Sequence, residues 1–214
     1  IFGSCGGGLA LIPTLTDFTF MEEKKAKLFV NAPNALDGNE ISRCDTSAAS
    51  FQSGEAGIVD VVADEASVLA QIRELVCMLP SNNEEDGAFE DCTDDLNRTC
   101  AEIEGCVGDT SIALSQLADN GAVFEVKAAY AKEMVTAFIR LNGTTVGAVA
   151  NRSEVYGEDG KVTDKVEAVL TPAGCEKAAD FINFCDAFNI PVIYLNNVKV
   201  FNADKSYEKK IAKA

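Results

Sequence analysis

Met134-Val135-Thr136-Ala137-Phe138-Ile139-Arg140-Leu141-Asn142-Gly143-Thr144-Thr145-Val146-Gly147-Ala148-Val149-Ala150 reads as two strands joined by a two-residue turn. Asn-Gly is the pair a tight hairpin selects, because both central residues adopt positive φ there. Working outward, Val123-Phe124-Glu125-Val126 precedes the hairpin as a further strand. After it, Glu158-Asp159-Gly160-Lys161 marks a solvent-facing turn. Thr171-Pro172 then caps and starts a long helix, with Ala178, Ala179, Phe181, Ile182 and Cys185 toward a core and Asn189 at its end. Val192-Ile193-Tyr194-Leu195 follows as a hydrophobic strand of the buried parallel type.

The first half carries the same alternation. Asp17 to Met21 and Lys27 to Asn31 are short β-rich runs, and Asp45 to Glu55 reads as a small helix with Asp45 as its cap. Ile58 to Val62 is a strand. Asp64 caps a helix whose apolar face is Val68, Leu69, Ile72, Leu75, Val76 and Leu79, ended by Pro80. Strands alternating with helices indicate α/β layers. Glu84 to Asp95 holds seven acidic residues and no basic one, the composition of a solvated linker. The division expected is therefore residues 1–83, an acidic linker region over 84–121, and a second domain over 122–214.

Bulk composition narrows the function. A net charge of −16 over 214 residues argues against nucleic-acid binding, which needs a basic footprint. Basic residues gather in two places only, Lys24, Lys25 and Lys27, then Lys205, Lys209, Lys210 and Lys213. The eight cysteines form no C-x-x-C pair and there is no histidine, so a structural metal site is not expected. The absence of histidine also removes Ser-His-Asp and Cys-His catalysis. Reduced thiols and a cytoplasmic setting are the expectation. Ile1-Phe2-Gly3, with neither an initiator Met nor a signal-peptide layout, reads as interior to a longer chain.

Chemistry is invited by Gly3-Ser4-Cys5-Gly6-Gly7-Gly8, which runs into Leu9 to Leu15, a short helix expected to be buried. Two readings fit the glycines. One is a backbone anion or oxyanion site, since glycines permit positive φ and a helix start leaves N–H groups free. The other is a tight turn packed against a neighbouring strand. Cys5 reads as a small buried residue in preference to a nucleophile, because nothing near it in sequence activates a thiol.

Four stretches together resemble the carboxyltransferase subunit of biotin-dependent acyl-CoA carboxylases and decarboxylases, of the propionyl-CoA and methylmalonyl-CoA type. They are Gly3-Ser4-Cys5-Gly6-Gly7-Gly8 through Pro13-Thr14-Leu15-Thr16-Asp17-Phe18; Leu79-Pro80-Ser81-Asn82-Asn83; Phe138-Ile139-Arg140-Leu141-Asn142-Gly143 with Val146-Gly147 and Val149-Ala150-Asn151; and Lys177-Ala178-Ala179 through Phe184-Cys185-Asp186-Ala187-Phe188-Asn189-Ile190-Pro191. They occur in order along nearly the whole chain, with a poor match from about Glu84 to Gly121. The resemblance implies a crotonase-like fold, the end of one domain joined to the start of a second.

It also implies a reaction: a carboxyl group passes between biotin, carried on a separate biotin carboxyl carrier protein, and the α-carbon of an acyl-CoA. The biotin ureido oxygen and the thioester carbonyl gain negative charge, and pairs of backbone N–H groups hold both. The resemblance places one pair at Gly7 and Gly8, with Gly6 beside the substrate. It places the second at Lys213-Ala214, with Ala214 donating and Lys213 against the substrate where the family has glycine. Asn196-Asn197-Val198-Lys199-Val200-Phe201 likewise replaces the family's Val-Asp-Val-Pro-Gly-Phe segment. Further expectations are a homo-oligomer when full length, a biotin carboxylase or a membrane decarboxylase subunit as partner, and an inactive fragment when alone. The alternatives are a methylmalonyl-CoA or glutaconyl-CoA decarboxylase subunit coupled to sodium export, and a CoA-binding or scaffold subunit without chemistry.

Overall fold

The computed structural model has two compact units, Ile1–Leu75 with Lys127–Tyr130, and Val76–Val126 with Ala131–Ala214. Residues 1–106, 108–157, 159–198, 200–201 and 203–211 are described. In the first unit, β1 (Ser4–Gly6) leads into two short 3-10 turns, Gly7–Leu11 and Pro13–Leu15. Then come β2 (Phe20–Glu22), β3 (Lys27–Phe29), α1 (Ala49–Gly54), β4 (Val61–Ala63) and α2 (Glu65–Met78), the last running on into the second unit. Parallel pairs join β1 to β3 and β2 to β4. Met21, Ala26, Leu28, Ala49 and Val59 form the core, with Cys5 packed against it.

Carboxylates tie the turns of this unit. Glu22 accepts from the backbone N–H groups of Lys24, Lys25 and Ala26. Asp60 accepts from Thr19 N at 2.6 Å. Asp45 accepts from Ser47 N and from Lys27 Nζ, the latter at 2.6 Å. That pairing corrects one expectation: α1 begins only at Ala49 with Ala48 at its N-cap, because the Asp45 side chain is committed to Lys27 and Ser47. Asp64 does cap α2 as expected, accepting from Ala66 N and Ser67 N. Its buried side is Val68, Leu75 and Met78, whereas Leu69 and Val76 face outward. Lys127–Tyr130 returns to this unit, with Lys127 N donating to Asp60 O at 3.0 Å.

The second unit is built on the hairpin. β5 (Val123–Val126), β6 (Met134–Leu141), β7 (Thr144–Asn151) and β11 (Val192–Leu195) form one sheet in the order β11-β7-β6-β5. Before it lies α3 (Thr110–Leu117), and β7 is followed by β8 (Glu154–Tyr156), β9 (Val162–Lys165), β10 (Val169–Leu170) and α4 (Pro172–Ala187). β12 (Val200–Phe201), paired with β10, and the short α5 (Glu208–Ile211) complete the described chain. Asn142 and Gly143 take φ of 50° and 78°, the mirror-image turn expected of Asn-Gly. Asp119 grips that turn, accepting from Asn142 N at 3.0 Å and Gly143 N at 2.7 Å.

Alternation along β6 and β7 serves two helices. Val135, Ala137, Ile139, Val146, Ala148 and Ala150 cluster with Leu114 and Ala118 at and after α3. On the other face α4 packs by Phe181 against Phe138, ring centroids 4.9 Å apart. Helix and sheet pack closely at Gly147, since an added Cβ would lie 2.7 Å from Cys185 Sγ. Burial pushes the Cys185 thiol up to about 12, so it is an inert packing group. Thr171 caps α4 by accepting from Gly174 N at 3.0 Å, and the buried side of that helix includes Lys177, Ala178, Phe181 and Cys185, with Ile182 outward.

Two further expectations change. Val192–Leu195 is parallel to β7 as read, but it is an edge strand with Val192 and Tyr194 exposed, not buried. The stretch 84–121, read as linker, contains α3 and part of the core of this unit. Asp109 is the reason. It caps α3 by accepting from Ser111 N, accepts from Tyr156 N at 2.9 Å, and lies 3.7 Å from Arg152. Arg152, 3% exposed in its side chain, also spans both oxygens of Glu125 at 3.0 and 3.2 Å and donates to Lys132 O.

Three outcomes follow from these contacts. Gly147→Ala destabilises by about 1–3 kcal/mol through overpacking, and combining it with Cys185→Ala costs less than the two single changes summed, by urea titration. Arg152→Met costs about 3–5 kcal/mol, because buried Asp109 and half-buried Glu125 lose their counter-charge. Lys27 and Ser47 hold the Asp45 carboxyl below the usual range. Its stabilisation is therefore complete above the ordinary carboxylate pKa of about 4 and is lost as pH falls through the depressed value. Asp45→Asn lowers the urea midpoint at pH 7 and flattens the acid limb, so variant and wild type converge in acid.

Candidate functional site

The glycine turn leaves β1 at Gly6, which is extended at φ −124° and ψ 158°, and reverses at Gly7, φ +60°. A Cβ at Gly7 would put an L-residue in the left-handed region, which only glycine enters without cost. Gly7 and Gly8 are the first two residues of the 3-10 turn, and Gly6 at its N-cap brings no side chain to them. Their N–H groups therefore have no acceptor within the turn.

Space divides the three glycines. An added Cβ on Gly7 or Gly8 would meet no atom within 4 Å, so the space on that side of both is open. On Gly6 it would come within 2.6 Å of Phe29 Cζ. Close packing against a neighbouring strand thus describes Gly6, and open space beside the Cα describes Gly7 and Gly8. Cys5 Sγ donates to Leu9 O at 3.3 Å, spanning the turn from one side to the other.

The segment after the glycines departs from expectation. It is two 3-10 turns with only Ala10 and Pro13 buried. Leu9, Leu11, Ile12 and Leu15 are exposed, Leu15 at 85%. The turns are too short to offer a continuous apolar face, and Pro13 N has no proton with which to extend the first into the second.

Lys213 and Ala214 lie outside the described residues. Of the two basic patches, Lys27 is engaged by Asp45 and Lys24 by Glu23. The motif Leu79 to Asn83 meets the end of α4, where Asn189 Nδ2 donates to Asn83 O at 3.2 Å. Arg140 of the hairpin donates to Cys77 O at 2.7 Å, at the C-terminal end of α2. Two of the motifs read from sequence therefore act in holding unit 2 together. The contact of Phe29 with Gly6 carries no sequence signal, because it depends on the register that sets Gly6 opposite Phe29 across β1 and β3.

The carboxyl transferase domain family model matches residues 1–213. The chain is 34% identical to the methylmalonyl-CoA carboxyltransferase 12S subunit of Propionibacterium freudenreichii subsp. shermanii, over 94% of this chain and 38% of the relative. It is 32% identical to the methylmalonyl-CoA decarboxylase subunit alpha of Veillonella parvula, over 94% of this chain and 40% of that protein. The transcarboxylase 12S crystal structure with hydrolysed methylmalonyl-coenzyme A bound superposes with a TM-score of 0.84 at 32% identity, covering 98% of this chain and 40% of the other. The chain thus spans about 40% of the length of these relatives. Its α/β layers are those of the crotonase-like carboxyltransferase fold, and the chain belongs to the carboxyl transferase domain family.

Proposed function

We propose that the full-length protein transfers a carboxyl group between biotin on a carrier protein and the α-carbon of a short acyl-CoA, with the Gly7 and Gly8 N–H groups holding a developing oxyanion. The observation that carries this is the glycine turn, with open space beside Gly7 and Gly8, in a chain whose residues 1–213 match a carboxyl transferase family. Relatives named for methylmalonyl-CoA support the acyl class.

Carrier-bound biotin supplies the N1 atom from which the carboxyl group leaves or to which it is joined. The contribution of this chain is electrostatic. As a proton and the carboxyl group change places at the α-carbon of the acyl-CoA, charge moves transiently onto the thioester oxygen, and fixed N–H dipoles are worth more to that oxygen than to the neutral carbonyl. Donors that belong to the backbone need no protonation change and no histidine. The open volume beside Gly7 and Gly8 gives the oxygen room to approach both. The second donor pair is assigned to Ala214 and Lys213 on the family resemblance alone, and a homo-oligomer and a biotin carboxyl carrier protein are the proposed partners.

Assay of the full-length protein with carboxylated biotin and propionyl-CoA tests the reading. Gly8→Ala sets a methyl group in the open volume and lowers kcat by about 10²–10³-fold with KM changed only a few-fold, as loss of one oxyanion donor does. Gly7→Ala does the same and adds backbone strain. Tight acyl-CoA binding by the wild type without any turnover replaces this reading with that of a scaffold.

A further inference from the structure

We infer that Phe29 is a positioning residue for the Gly7 and Gly8 donors, assisted by the Cys5 thiol; this rests on the oxyanion reading above. Three consecutive glycines have more conformational freedom to lose than any other tripeptide. Donors serve an oxyanion only when their directions are fixed beforehand. Gly7 and Gly8 have no side chains, and the space around their Cα atoms is open. The frame that aims their N–H groups must therefore come from residues on either side.

Two contacts supply it. Phe29 stands opposite Gly6 in the parallel pairing of β1 with β3. Its ring fills the place where a Gly6 side chain would be, with Cζ and Cε2 at 2.6 and 2.7 Å from an ideal Cβ. Rotation of Gly6 out of its extended conformation would drive the backbone into that ring. On the far side, the Cys5 S–H to Leu9 O bond of 3.3 Å closes the turn across Gly6, Gly7 and Gly8. A thiol is a weak donor, so the ring is the larger restraint and the thiol the smaller. Leu28, next to Phe29, is buried in the core of the unit and anchors the strand that carries the ring.

The test uses the full-length protein. Phe29→Ala lowers kcat about tenfold or more with KM for the acyl-CoA within about twofold, because donors misplaced by an ångström lose rate before they lose affinity. Phe29→Leu, which keeps apolar cover, falls in between. Gly6→Ala alone lowers kcat further, and Gly6→Ala with Phe29→Ala regains about tenfold over Gly6→Ala, since the methyl group then has room. Cys5→Ala lowers kcat a few-fold and Cys5→Ser restores it. Hydrogen exchange by mass spectrometry over residues 5–15 quickens in Phe29→Ala while the rest of the unit keeps wild-type protection.

Unchanged kcat and unchanged exchange in Phe29→Ala would overturn the inference, as would an equal loss in Gly6→Ala whatever residue stands at 29. Loss of protection throughout the unit would also overturn it, by showing a general packing role. A wild-type protein that transfers no carboxyl group removes the oxyanion reading instead. The exchange measurement then still decides whether Phe29 orders the turn.

Discussion

A guanidinium withdrawn from water must be answered by carboxylates, and the answer given to Arg152 organises the second unit. Glu125 on β5 meets it with both oxygens, while Asp109 approaches from the start of α3. Asp109 has further duties, as the cap of α3 and as acceptor for Tyr156 N on β8. One charge thus fixes the mutual placement of a helix start, a sheet edge and the hairpin that follows β7. Hydrophobic burial brings α3 onto the sheet without choosing among nearby arrangements. The charge cluster chooses, because an arrangement that left Arg152 or Asp109 unpaired would carry the penalty of a buried ion.

The first unit is organised by smaller means. Its strands are three residues each and pair in parallel, so ladder hydrogen bonds are few. Carboxylates and an amide do the joining: Glu22 over the turn into β3, Asp60 on Thr19, Asp45 on Lys27, and Gln52 donating to Leu28 O and Thr46 O. This framework ends in a turn with no side chains. Rigidity in the framework and nakedness at the turn are complementary, since a backbone donor works only if it is both accessible and still.

What was legible in the sequence was chemistry that acts locally. Asn142-Gly143 specified its turn, and Thr171-Pro172 and Asp64 specified helix starts. What was not legible depended on partners far away in sequence. Asp45 looked like a helix cap until Lys27 claimed it. The stretch 84–121 looked like a linker because Arg152, which makes sense of Asp109, lies well beyond it. Leu9, Leu11, Ile12 and Leu15 looked buried because composition alone does not say which apolar residues find cover. At the candidate site, the glycines were visible as a motif, but only the register of β1 on β3 divides them into one packed glycine and two open ones.

The two-residue turn between β6 and β7 bears on how the second unit is assembled. Closing so short a loop costs little chain entropy, whereas bringing β11 alongside β7 requires the excursion through β8, β9, β10 and α4 to be closed first. Local pairings form early and crossover pairings late. The hairpin, with α3 already synthesised ahead of it, is therefore a nucleus available while the chain is still emerging from the ribosome, and β11 is the last strand of this sheet to be laid down.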